Sequence, residues 1–258
     1  MADLRNMNAR AAQARTYDAS IDAGLRAYMI RVYNLMAAGL AITGLAALAT
    51  MMVATTTDPS AAVAQLGNGK MLTSVGTALY GSPLRWVVML APLGMVFFLG
   101  ARIQNMSVSS AQTTFWIFAA LMGISLSSIF LVYTSASIVQ TFFISATAFG
   151  SLSLWGYTTK RDLTGMGSFL FMGLIGLIIA SIVNLFLGSS ALQFAISVIG
   201  VLVFAGLTAY DTQKIKEMYY AGDGSAVAGR KAIMGALNLY LDFINLFMFL
   251  LHFLGNRE

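Results

Sequence analysis

Two carboxylates in this chain lie inside long apolar runs. Asp242 sits in LNLYLDFINLF, residues 237–247, and Asp211 sits in TAYDTQKIK, residues 208–216. The other eight acidic residues (Asp3, Asp18, Asp22, Asp58, Asp162, Glu217, Asp223 and Glu258) fall in polar stretches. A charge at the centre of a membrane helix costs roughly 2.5–3.5 kcal/mol on insertion scales, so Asp242 should face a protein interior and have a partner. Asp211 has a plainer reading by itself, as a helix-end charge three residues before Lys214 on the same face. Together the two residues suggest more. Two carboxylates facing each other in a low-dielectric site cannot both ionise cheaply and should titrate as a unit. Such a pair can share a proton, or lose it and attract a cation. Carboxylate oxygens are hard ligands that suit calcium rather than a soft metal, so Asp211 and Asp242 are also candidate metal ligands. Arg102, at the cytoplasmic end of the second helix, is the basic residue best placed to compete for the pair, although its plainer reading is a positive-inside anchor.

The elements that must position these residues are membrane helices. The chain is 58% hydrophobic and only 10% charged, against ~25% charged in soluble domains. Seven segments are long enough to span: Val32–Thr56, Leu84–Ile103, Ala111–Tyr133, Ala136–Thr158, Met166–Leu187, Ala191–Ile215 and Ala232–Leu254. Pro83 and Pro92 interrupt the second, which a membrane helix can absorb when neighbours satisfy the freed carbonyl. The expected fold is therefore an all-α integral membrane protein with seven transmembrane helices. A polar N-terminal tail, residues 1–31, precedes a single membrane domain, residues 32–258. Counted from Ala232, Asp242 lies about 15 Å into the last helix at 1.5 Å per residue. That is near the middle of a ~30 Å hydrocarbon core. Shielding it from lipid requires the last helix to be central in the bundle.

Basic residues set the expected orientation. Twelve Lys and Arg fall on the side of the tail and the even-numbered connections, and three (Lys70, Arg85 and Arg257) on the other. The positive-inside rule then places the N-terminus in the cytoplasm and the C-terminus outside. Very short outer turns near Thr134–Ser135 and Gly188–Ser190 make helices three and four, and five and six, antiparallel neighbours. Asp211 and Asp242 fall on consecutive helices, both in the cytoplasmic half. Small residues at Ala146 and Gly150, Gly123 and Ser127, and Gly176 and Ala180 are expected at helix contacts. The first outer loop, near Thr57–Pro83, shows no sign of a soluble domain.

Other chemistry is thin. The chain has no cysteine, so disulfides and thiolate metal sites are excluded. The first 31 residues lack the short apolar core of a signal peptide. The net charge of +5 is explained by membrane topology and gives no case for nucleic acid. QLGNGK, residues 65–70, lacks the first glycine and the Ser/Thr of a phosphate loop. No stretch fits the EF-hand calcium pattern. The only histidine, His252, has no clustered partner. Asn105–Ser107 falls on the cytoplasmic side, which argues against glycosylation.

The segment GALNLYLDFINLFMFLL, residues 235–251, resembles the signature of the Bax inhibitor-1 (transmembrane Bax inhibitor motif) family. AYDTQKIK, residues 209–216, is similar to the end of that family's sixth helix, and KRDL, residues 160–163, to its bacterial members. The resemblance implies a pH-controlled calcium leak in which two aspartates, here Asp211 and Asp242, form the sensor and gate. It also implies that an arginine, here Arg102, latches the pair in a closed state. Some bacterial relatives carry a glutamate in the second helix; this chain has none there. The resemblance further implies a bacterial plasma (inner) membrane location, with protons and calcium as partners and no tightly bound cofactor. A membrane quality-control protease is a further possible partner, which makes a non-channel regulator the alternative reading. An intramembrane aspartyl protease also pairs two aspartates, one in a Tyr-Asp dipeptide such as Tyr210–Asp211. Those proteases carry Gly-x-Gly-Asp at the second aspartate, where this chain reads LYLD, and a later Pro-Ala-Leu that it lacks. The expectation is therefore a channel and not an enzyme.

Overall fold

In the computed structural model, residues 2–257 are described, with side chains described from Asp22 to Arg257. Among the described residues are nine α-helices: α1 (Ala2–Ala54), α2 (Ser74–Gly76), α3 (Leu84–Arg102), α4 (Val108–Leu126), α5 (Ile129–Val132), α6 (Ser135–Thr158), α7 (Thr164–Leu187), α8 (Ser190–Glu217) and α9 (Ser225–Leu254). Seven of them are long and apolar enough to cross a membrane, which gives the expected all-α membrane architecture. The side chains of Arg5, Arg10 and Arg15 lie outside the described residues. The expected boundary at residue 31 falls inside α1, and burial already includes Tyr28 and Met29.

Helix α9 occupies the centre. In its most apolar window 61% of residues are buried, against 39% or less in every other span. It packs against α1, α4, α6 and α8, whereas α3 lies mainly on α4 and α7 mainly on α8. The outward faces of these peripheral helices carry large apolar side chains, including Phe97 on α3 and Phe171 and Phe186 on α7. Burial in water would be the rule for such residues; here lipid is their solvent, so outward exposure costs nothing.

With lipid on the outside, helix association depends on close fit and on buried polar contacts. Gly156 on α6 lies against the backbone of Ala209 on α8, where an added Cβ would collide with the carbonyl oxygen. Gly123 on α4 meets the backbone of Thr43 and Ala47 on α1 in the same way. The expected contacts at Gly150 and Gly176 are absent, since a Cβ at either would meet nothing within 4 Å. The reason is register. The buried stripe of α6 runs through Thr141, Ser145, Phe149, Ser153 and Gly156, which leaves Gly150 one position off that face.

The third span is broken where the sequence suggested one helix. α4 stops at Leu126 and α5 restarts at Ile129. Ser127 donates its hydroxyl to the Ile124 carbonyl at 2.6 Å, and Ser128 donates to the Ser125 carbonyl at 3.4 Å. Serine hydroxyls that compete for backbone acceptors favour such a break. The first loop between spans forms a small antiparallel sheet of β1 (Thr55–Thr56), β2 (Ala64–Gln65) and β3 (Met71–Leu72), in the order β1-β3-β2. It sits on the end of α5: Lys70 Nζ donates to the Phe130 carbonyl at 2.5 Å, and Asn68 Nδ2 donates to the Leu131 carbonyl at 2.9 Å. These bonds satisfy carbonyls that a four-residue helix leaves unpaired.

Candidate functional site

The site is built on α8 and α9, which pack along each other. Asp242 is buried at 5% exposure, while Asp211 is partly buried one helix away. Their carboxyl groups lie within hydrogen-bonding reach of each other. A carboxyl–carboxyl hydrogen bond requires a proton on one member, because an ionised carboxylate only accepts. The arrangement would let two acids on neighbouring helices share one proton. Oδ2 of Asp242 is buried and has no hydrogen-bond partner among the described residues. The two members differ in surroundings: Asp242 is buried, whereas Asp211 is only partly buried and lies near exposed Lys214 on the same helix.

Polar clasps hold the two helices in this register. On α9, Tyr240 is fully buried, and its ring meets Phe115 and Phe118 edge-on. Its hydroxyl lies 2.6 Å from Thr43 Oγ1, which itself reaches the carbonyls of Gly39 and Ala119. Carbonyls only accept, so the Thr43 proton is committed to them and Tyr240 must be the donor. On α8, Thr212 donates to the Thr208 carbonyl at 2.7 Å. Ser153, 2.9 Å away, must then donate to Thr212, and Tyr33, 2.6 Å further on, must donate to Ser153. This polarised chain ties α1 and α6 to the residue that follows Asp211. Gln213 completes the support: it accepts from the Leu163 amide and donates to the Arg161 carbonyl, both at 2.8 Å. The KRDL segment is thereby pinned to the end of α8. Asp162 in that segment accepts from the Thr164 amide at 2.8 Å, and its bonds to Thr164 hold its carboxyl below the usual range.

Of the residues expected to do chemistry, Asp211 and Asp242 come together and Arg102 stands apart. Arg102 is exposed in the last turn of α3, and no ion pair joins it to either aspartate. His252 lies at the opposite end of α9, with its ring 6.2 Å from that of Tyr133. Among the described residues no cluster of three or more His, Asp or Glu surrounds the pair. Two carboxylates offer at most four oxygens, and a calcium ion takes six to eight. These oxygens by themselves would therefore not complete a calcium shell. Sequence reasoning overlooked Tyr33, Ser153, Thr212 and Gln213. The signal available was polarity inside apolar spans, but hydroxyls are common there and periodicity alone does not say which of them meet.

Two acids brought side by side inside a bundle of seven membrane-length helices define the site. The family model "Inhibitor of apoptosis-promoting Bax1" matches residues 25–258, and the chain belongs to that family. An uncharacterized protein of Rickettsia prowazekii is 49% identical over 239 residues, covering 93% of each chain. An uncharacterized protein of Caulobacter vibrioides is 48% identical over the full length of both chains. The inner membrane protein YbhL of Escherichia coli K12 is 46% identical over 238 residues, covering 92% of this chain and 94% of its own. None of these names carries an enzymatic activity.

Proposed function

We propose that this protein is a proton-sensitive cation leak of a bacterial inner membrane, with calcium as the permeant ion. The observation that supports it best is the close approach of Asp211 and buried Asp242 across the packed helices α8 and α9. With a shared proton the pair carries one negative charge; after losing it, the pair carries two and attracts a divalent ion. Proton occupancy thus competes with cation occupancy at the same oxygens. Helix α9 is packed on several sides, so a change in charge at Asp242 acts on the interfaces with α6 and α8 together. The N-terminus is cytoplasmic in this reading, which rests on the twelve-to-three distribution of basic residues and the positive-inside rule. The location is carried over from the printed name of the Escherichia coli relative. Arg102 acts as a latch only in a state in which α3 approaches α8. No covalent bond is made or broken.

The test is calcium flux from liposomes across a pH series, with wild type beside Asp242→Asn. Wild-type flux should change with pH and the variant should lose that dependence. Equal flux and equal pH dependence would refute the mechanism. A wild type without any leak that co-purifies with a membrane protease would point to a regulator instead.

A further inference from the structure

α1 and α6 flank a groove that the rest of the bundle does not fill. Two cavities lie in line along it. One, of about 530 Å³, is lined by Arg26, Tyr33, Phe149, Gly150, Ser153 and Tyr157, among others. The second, of about 350 Å³, lies further along the same two helices, between Leu40, Phe142, Phe143 and Phe243. Phe149 of the first packs edge-on against Phe243 of the second, with centroids 5.6 Å apart. From Arg26 to Leu40 is fourteen residues of α1, about 21 Å at 1.5 Å per residue. That is more than half of a ~30 Å hydrocarbon core.

The two ends differ in chemistry. Among the described residues, the only ionisable side chain with a formal charge in either lining is Arg26, and no carboxylate lines either cavity. Arg26 is exposed and is paired with no carboxylate among the described residues. A second cation stands at the same rim: Lys216 Nζ donates to the Tyr157 carbonyl at 2.9 Å and lies 5.4 Å over the Tyr157 ring. The inner chamber is apolar apart from Thr43, whose hydroxyl is already used. No polar group there recruits water, and an apolar cavity open to hydrocarbon fills with hydrocarbon.

We propose that this groove binds one acidic phospholipid. Its phosphate sits at Arg26, and one acyl chain runs past Tyr33 into the chamber between Phe142, Phe143 and Phe243. The basic mouth selects the headgroup, and the apolar length selects a membrane lipid over a soluble anion. The site is independent of calcium passage. Its lipid belongs to the leaflet on the Arg26 side, whichever compartment that leaflet faces. Tyr33 lines the groove and heads the hydroxyl chain through Ser153 to Thr212, so occupancy bears on the α8 turn that carries Asp211.

Two glycines make the groove testable. A Cβ added at Gly150, or at Gly44 in the inner chamber, meets nothing within 4 Å. Gly150→Phe and Gly44→Phe should therefore fill the space without disturbing the bundle; Gly94→Phe on α3, equally open, is the control. The probes are phosphatidylglycerol and phosphatidylcholine with the same diazirine-bearing acyl chain, in liposomes otherwise identical, with labelled peptides mapped by mass spectrometry. Phosphatidylglycerol should label the 142–149 segment more than phosphatidylcholine, by about fivefold per basic side chain at the mouth. Arg26→Gln should lower that preference, and the two groove-filling variants should abolish labelling there while leaving labelling of α7 unchanged. Equal labelling by both lipids, unchanged labelling in Gly150→Phe, or protein–protein cross-links through the same positions would each overturn the proposal.

Discussion

Replacing Asp242 by Asn should turn a two-step titration into a one-step titration. In the proposed wild-type site a shared proton forms a hydrogen bond between one neutral and one ionised carboxyl group. Hydrogen bonds to charged groups contribute about 1.5–3 kcal/mol. Such a bond favours the half-protonated pair and so spreads the two macroscopic steps apart. Asn is isosteric and can donate its amide to Asp211, with its oxygen in the place of Oδ2, which has no partner in the wild type. One amide hydrogen is left over, at a cost of about 1–3 kcal/mol, so the variant should fold with a lower thermal midpoint. Infrared difference spectra of the protonated carboxyl band, taken over a pH series in lipid, report the pair without reference to ion flux. Two resolved steps should appear in the wild type and one in Asp242→Asn, with Asp211→Asn as the mirror case. Identical titrations in wild type and both variants would refute proton sharing, even if the protein conducts calcium.

Gly156→Leu should destabilise the protein by about 1–3 kcal/mol through overpacking, because its Cβ would meet the Ala209 backbone; Gly176→Leu, facing open space, should be neutral. Thermal unfolding in detergent compares them. Tyr240→Phe removes only a donor and should cost about 1 kcal/mol, whereas Thr43→Val strands the buried Tyr240 hydroxyl and should cost more; the opposite order would overturn the assigned direction of that bond. In this cysteine-free chain, single cysteines at Tyr220 and Ser60 should be labelled by an impermeant thiol reagent from opposite sides of the membrane, with Tyr220 cytoplasmic; the reverse pattern would invert the topology.

How much could be read in advance differs from feature to feature. The span boundaries were legible because hydrocarbon imposes one length and one composition on every crossing, and the centrality of α9 was legible because a carboxylate at mid-depth needs shelter. The break at Ser127 was not, because three serines in an apolar run do not reveal which carbonyls their hydroxyls will take. The mispositioned Gly150 shows the same limit: a small residue says that a helix can approach, but not which face it turns to its neighbour.

By itself the sequence determined that this is a seven-span membrane protein with two acids in its last two spans. Those features depend on residue type and linear spacing, which any folded form must respect. Only the tertiary structure decided that Asp211 and Asp242 join while Arg102 stays apart. It also decided that Tyr33, Ser153 and Thr212 form one polarised chain, and that α1 and α6 leave a groove between them. Each of these depends on the rotation of one helix against another. That rotation is set by all the contacts around a helix at once, and no local stretch of sequence contains them.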